Sequence, residues 1–176
     1  MIKAMASRMR LDALDTALSP EYIELVGDLL CSEPVRALAD WDQHLHINRL
    51  KHSVSVSYYS FLLCRRLGLD YRAAARGGLL HDLFFFDWAT LPNGESHIKL
   101  HPQEALRNAE KLTELSGMER DIIAKHMWPC GGRASYRETL VVSFVDKFCA
   151  LTECLDYLRL RFFCLGCQQV PLRKSV

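Results

Sequence analysis

The sequence predicts an all-α protein, and three observations carry that reading. No segment alternates polar and apolar residues as a half-buried strand does. Apolar side chains recur instead at steps of three and four, in runs that open on capping residues and close on glycine or proline. The 176 residues, nearly half of them hydrophobic, suit a single domain with one core.

The elements follow in order. "SPEYIELVGDLL" opens with Ser19 as N-cap and Pro20 at the first helical position. "SEPVRALADW" repeats that logic more weakly. A longer helix is expected from about Asn48 to Leu67, stopped by Gly68, and another from about Asp70 to His81. "HPQEALRNAEKLTEL" starts a helix at Pro102, with Gly117 marking its end. "MERDIIAKHMW" is stopped by Pro129, and a last long helix spans roughly Tyr136 to Phe163. "DWATLPNGES" and "PCGGRAS" read as loops, and the tail beyond Gln168 as a mobile end. There is no repeat, low-complexity tract or linker.

Composition removes some functions. A formal charge of +1 argues against a nucleic-acid binder held by bulk electrostatics. No stretch approaches a membrane span, and the start, "MIKAMASRMR", has no apolar run of the kind a secretory signal needs. Seven cysteines at irregular spacing point to free thiols in a reducing cytoplasm. Cys164 and Cys167 form one CxxC, whereas a zinc ribbon needs two.

The segment "RGGLLHDLFFFDW", Arg76 to Trp88, places His81 and Asp82 side by side in apolar surroundings. Burying both costs free energy unless something pairs with them. Other candidates lie on interior faces. His52 extends the stripe of Val56, Tyr59 and Leu63, and His126 follows Ile122 and Ile123. Asp146 lies among Val142, Val145 and Cys149, and His101 sits just before Pro102. Ala74, Gly77 and Gly78 share a face with His81, where small side chains let a neighbouring helix come close. Any one such histidine is usually a satisfied core residue. Five elements that each aim a metal-competent side chain inward point to a shared divalent cation.

This order of residues, His52, then His81-Asp82, then Asp146, resembles the H…HD…D signature of the HD-domain metal-dependent phosphohydrolase superfamily. "KHSVSVSYYSFLLCRRLGLDYRAAARGGLLHDL" resembles its first two motif helices. "HPQEAL" and "IIAKHM" are similar to the segments that bring two extra histidines to its dinuclear members, and "VVSFVDKFCA" to its last motif. The likeness covers about residues 45 to 155, and is nearest to small, single-domain bacterial HD proteins of unassigned substrate. It implies an HD-domain helical bundle with a central metal site, the N- and C-terminal helices packing on the motif core. It implies His52, His81, Asp82 and Asp146 around one metal, with His101 and His126 holding a second and Asp82 bridging. The ions would be one or two of iron, manganese, zinc, cobalt or nickel. Two features depart from the pattern: Phe85 stands where the nucleotidase branch has the Glu of HDxxE, and the GYP motif of the cyclic-dinucleotide branch is missing.

The resemblance implies hydrolysis of a small phosphorylated substrate by a metal-activated water. Asp82 would act at the metal, and Asp87 could donate a proton to the leaving group or simply cap a turn. Lys147 is the preferred phosphate contact over Lys125 and Arg133, on the expectation that its helix is the most buried. Phe84, Phe85, Phe86 and Trp88 could wall the pocket or belong to the core. The same ligands also serve dinuclear iron oxygenases, and a non-catalytic nucleotide-binding sensor is a third class. The apolar last helix could pack within the domain or in a homodimer.

Overall fold

The computed structural model describes residues 18–44, 47–87 and 97–164, and their regular secondary structure is helical apart from one small hairpin. Helix α1 (Pro20–Cys31) is followed by the short α2 (Glu33–Ala37) and a 3-10 turn (Leu38–Asp40). Strands β1 (Asp42–His44) and β2 (Ile47–Asn48) pair antiparallel, Asp42 opposite Asn48 and His44 opposite Ile47, with an irregularity between. Then come α3 (Arg49–Leu67), α4 (Tyr71–Leu80), α5 (His97–Leu112), α6 (Gly117–Lys125) and α7 (Arg137–Cys164). The fold is all-α, as the sequence predicts. The hairpin departs from the expectation of no strands; at two and three residues it is too short to show alternation.

Local chemistry sets most boundaries. Ser19 accepts from the Tyr22 amide at 3.3 Å, with Pro20 just inside the helix. Asn48 caps α3 at 2.9 Å through the Lys51 amide, and Gly68 ends it in the left-handed region (φ 68°), where a side chain would be strained. The Asp70 carboxylate accepts from the Arg72 and Ala73 amides at 3.0 Å each, opening α4.

Two expected boundaries are corrected. Gly117 does not end a helix: α5 stops at Leu112, and Gly117 opens α6 behind a reciprocal cap between Ser116 and Glu119. The helix expected from Pro102 begins a turn earlier, at His97, so Pro102 lies inside it and His101 is helical. Proline is easiest at the first helical position, but here the helix continues past it, giving up one backbone hydrogen bond. The loop expected over 87–96 falls, after Asp87, outside the described residues, as do Trp88, Cys167 and the tail.

Helix α3 is the central element, and α3 and α4 pack along more of their length than any other described pair. Tyr22, Val26, Leu29, Phe61, Leu79 and Leu80 form a core under α1, while Val56, Cys64, Ala74, Ile122, Val142 and Cys149 form another against α7. Ser57 links three helices: it accepts from the Tyr22 hydroxyl at 2.8 Å and donates to the Ala75 carbonyl at 2.6 Å. The expectation that α7 is the most buried helix fails. Its outer face leaves Phe144 64 % and Leu151 57 % exposed, with Leu140, Leu155 and Leu158 also exposed. No helix among the described residues is long and apolar enough to cross a membrane.

Glycine is required where α4 meets its neighbours. A Cβ on Gly78 would lie 3.1 Å from the Ser57 Cα of α3, and one on Gly77 would lie 2.8 Å from Ile122 Cγ2 and 3.0 Å from its Cβ. Ile122 is fully buried and stiff at χ1, so it has little room to yield. Gly77→Ala should therefore destabilise the protein by about 1–3 kcal/mol. That is opposite in sign to the roughly 1 kcal/mol that alanine gains over glycine in an open helix. Urea unfolding of the two proteins measures it, and an unchanged or raised midpoint would contradict this packing.

Candidate metal centre

Three histidines owe their orientation to helix ends or to a neighbouring helix. His81 and His126 are the C-cap residues of α4 and α6. Each Nδ1 donates to the carbonyl three residues back, His81 to Gly78 at 2.7 Å and His126 to Ile123 at 2.9 Å. Carbonyls in a last turn lack helical partners, so the rings satisfy them. Donation from Nδ1 leaves both Nε2 atoms facing inward. His52, in the first turn of α3, points its Nε2 at Asp146 Oδ1 (3.0 Å) and its Nδ1 at both carboxylate oxygens of Glu153 (2.9 and 3.1 Å).

Asp82 lies between these rings. Its Oδ2 accepts from the Gln43 amide at 2.6 Å and is 3.4 Å from His81 Nε2. Its Oδ1 faces the other way, 3.5 Å from His101 Nε2 and 3.6 Å from His126 Nε2. The Nε2 atoms of His101 and His126 approach to 2.8 Å, and His81 Nε2 lies 3.7 Å from Asp146 Oδ1. Two triads result, His52-His81-Asp82 and Asp82-His101-His126, each with donor atoms within 4.8 Å of one another. Asp146 borders the first triad. All six side chains singled out in the sequence as ligands thus meet around Asp82.

The donor set fits a divalent cation. His81 Nε2 and Asp82 Oδ1 are buried without a hydrogen-bond partner, a condition that costs about 1–3 kcal/mol for each such atom. Their separations from neighbouring donors are long for hydrogen bonds. They match ligands sharing an ion, which about 2.0–2.2 Å bonds would hold roughly 3–3.6 Å apart. Buried imidazole and carboxylate donors suit manganese, iron, cobalt, nickel or zinc.

Electrostatics place the charges. Burial opposes protonation of His52, but hydrogen bonds to Asp146 and Glu153 outweigh it and lift its pKa to about 10. Burial also opposes protonation of His81, and the Asp82 charge reverses that, so its pKa is raised. His126 is pushed down to about 3 by burial and then by His81. Burial would raise both aspartates. Asp82 is instead held below the usual carboxylate range by His81, His101 and His126, and Asp146 by its hydrogen bond to His52 and by the His81 ring 3.7 Å away.

The remaining described candidates belong to neither triad. The Lys147 ammonium donates to the His126 carbonyl (3.1 Å), the Ser143 carbonyl (3.2 Å) and Ser143 Oγ (2.8 Å), bracing the turn that carries His126. Lys125 pairs with Asp121 and Ser135, and Arg133 is exposed. Asp87 is exposed, and its charge acts on Arg49. In the aromatic run, Phe84 is buried beneath the Arg49 guanidinium, 3.6 Å from its ring centre, and beside His101, while Phe85 is exposed.

Sequence reasoning missed three residues. Glu153 lies seven residues after Asp146, which places both on one face of α7; extending the apolar stripe past Cys149 would have found it. Arg49, 1 % exposed, donates to Gln43 at 3.0 Å and to the Phe84 carbonyl at 2.5 Å. Gln43 passes that contact on to Asp82, and nothing in its sequence context marks it.

Among known proteins, the chain is locally similar to ribonuclease Y of Clostridium perfringens, in strains SM101, ATCC 13124 and 13. The identity is 42 % over 66 residues in each case. That stretch is 38 % of this chain and 11 % of the relatives' length. No protein-family model matches the chain, and no solved structure matches it.

The pKa pattern gives the protein, freed of divalent ions by a chelator, a stability maximum near neutrality. The His52 contribution is fully present below about pH 6.5, the unfolded value, and is lost as pH rises through its folded pKa of about 10. His126 has the opposite sign: its contribution is lost as pH falls from about 6.5 toward its folded pKa of about 3. Asp82 and Asp146 add to the loss on the acid side. Urea unfolding across this range should give a bell-shaped stability profile. A free energy still rising at alkaline pH would contradict the assignment of His52.

Proposed function

We propose that the protein is a metal-dependent phosphohydrolase acting on a phosphoester or nucleotide-like substrate. The observation that carries this reading is the pair of buried triads joined through the two oxygens of Asp82, with His81 Nε2 and Asp82 Oδ1 lacking a hydrogen-bond partner among the described residues. His52, His81, Asp82 and Asp146 would hold one ion, and Asp82, His101 and His126 a second. Bound divalent ions supply an activated water and offset phosphoryl charge. The local similarity to a ribonuclease supports hydrolysis of a phosphoester over oxygen chemistry.

In this reading the chain's own residues orient and exclude. Gln43 fixes Asp82 Oδ2 toward the first triad, leaving Oδ1 for the second. Lys147 holds the turn of His126 in place, since its ammonium is bound to protein oxygens. Asp87 is the proton donor to the leaving group. Arg49 ties the segment after the doublet to α3 and keeps Phe84 over His101.

Three measurements test it. Protein purified without a metal-affinity step should carry divalent metal and hydrolyse members of a panel of phosphomonoesters, phosphodiesters and nucleotides, with or without oxygen. Asp82→Ala should lose metal and lower turnover by more than about 100-fold, the upper range for losing a supporting partner alone; Asp87→Ala should keep its metal. Replacing His101 and His126 together with alanine should lower the metal stoichiometry from two to one. Retained metal and turnover in Asp82→Ala would end the proposal, and turnover that requires oxygen would move it to the oxygenase class.

A further inference from the structure

We infer that Glu153 is a positioning residue for the metal centre, holding His52 by its Nδ1 so that Nε2 faces the ion shared with His81, Asp82 and Asp146. The inference rests on the metal-centre reading above and extends it to a residue outside the ligand set.

Glu153 is 4 % exposed, and both its oxygens lie within 3.1 Å of one nitrogen, His52 Nδ1. A carboxylate buried at that depth is costly unless a specific partner compensates it. The position of His52 explains why the partner is a side chain. His81 and His126 cap helix ends, where carbonyls are left over to accept from Nδ1. His52 lies in the first turn of α3, where the carbonyls already accept from helical amides. Its acceptor must therefore come from another element.

Helix α7 supplies it. Asp146 and Glu153 are two turns apart on one face, and the His52 ring bridges them, Nε2 toward Asp146 and Nδ1 toward Glu153. One helix thus presents both a ligand and the support of a second ligand. A charged acceptor holds the ring more strongly than a carbonyl does, and it adds electron density to the coordinating nitrogen. His81 and His126 have backbone carbonyls at Nδ1, whereas His52 has a carboxylate there. The ion beside it should therefore depend on Glu153, while the ion between His101 and His126 should not.

The test is titration of Co2+ into the chelator-treated protein, read by its visible absorption and by calorimetry. It compares the wild type with Glu153→Gln, which keeps the shape of the side chain and removes its charge. Asp146→Ala and His126→Ala assign the two binding steps. We expect Glu153→Gln to weaken by about 10–100-fold the step that Asp146→Ala abolishes, and to leave the step lost in His126→Ala unchanged. Unchanged affinity at both steps would overturn the inference whatever happens to the unfolding temperature, because a merely structural Glu153 would shift only the latter. If the variant does not fold, the wild type loaded with Zn2+ and labelled with 15N-histidine decides the matter. A slowly exchanging proton on His52 Nδ1 is expected, and a proton on Nε2 would overturn the assignment. Wild-type protein that takes up no Co2+ would instead refute the metal centre itself, and this inference with it.

Discussion

Asp82 brings a carboxylate to the middle of the helical bundle at 3 % exposure, and three imidazoles close around it. In that setting its charge must be met from several directions, and each surrounding element supplies one. The hairpin brings Gln43 to Oδ2, α5 and α6 bring His101 and His126 to Oδ1, and α4 carries His81 beside it. Arg49 reaches the same carboxylate through Gln43. The hairpin is too small to add much core, so its clearest contribution is this amide.

Bringing so many polar groups together requires close helix packing, and the small residues of α4 allow it. Gly77 and Gly78 let Ile122 of α6 and the Ser57 backbone of α3 approach at distances a side chain would forbid. The same approach puts the ends of α4 and α6 near each other, and the histidine caps at those ends face one another, ring centroids 4.9 Å apart. Packing and site are therefore a single constraint. The glycines that admit the neighbours also set the spacing of the donors.

Much of this was legible in the sequence because the informative signals are local or periodic. Ser19, Asn48, Asp70 and Gly68 mark helix ends by chemistry that acts within three or four residues. Helical spacing sent His52, His126 and Asp146 inward, and the order of the motifs connected them. What failed depended on competition or on tertiary contact. Pro102 is a strong start signal, yet the helix runs through it from His97. Gly117 looked like a stop, but the Ser116–Glu119 cap makes it a beginning. Lys147 looked like a phosphate contact beside a ligand. Its position on α7 instead turns the ammonium toward the His126 carbonyl, a contact that sequence adjacency cannot show. Gln43 lies 39 residues before its partner in a segment without periodicity, so only the folded chain pairs them.

Charge balance connects these parts. Asp82, Asp146 and Glu153 bring three carboxylates into a region largely closed to water. With protein atoms alone, the clearest compensation is the proton that His52 keeps between Asp146 and Glu153, its pKa lifted to about 10. His126, at about 3, contributes a neutral ring. The Nε2 of His52 is therefore a position for which a proton and a divalent cation compete, and taking up the cation means releasing the proton. Glu153 sits on the other side of that ring. It stabilises the proton on Nδ1 whichever of the two occupies Nε2, so the ring keeps one orientation through the exchange.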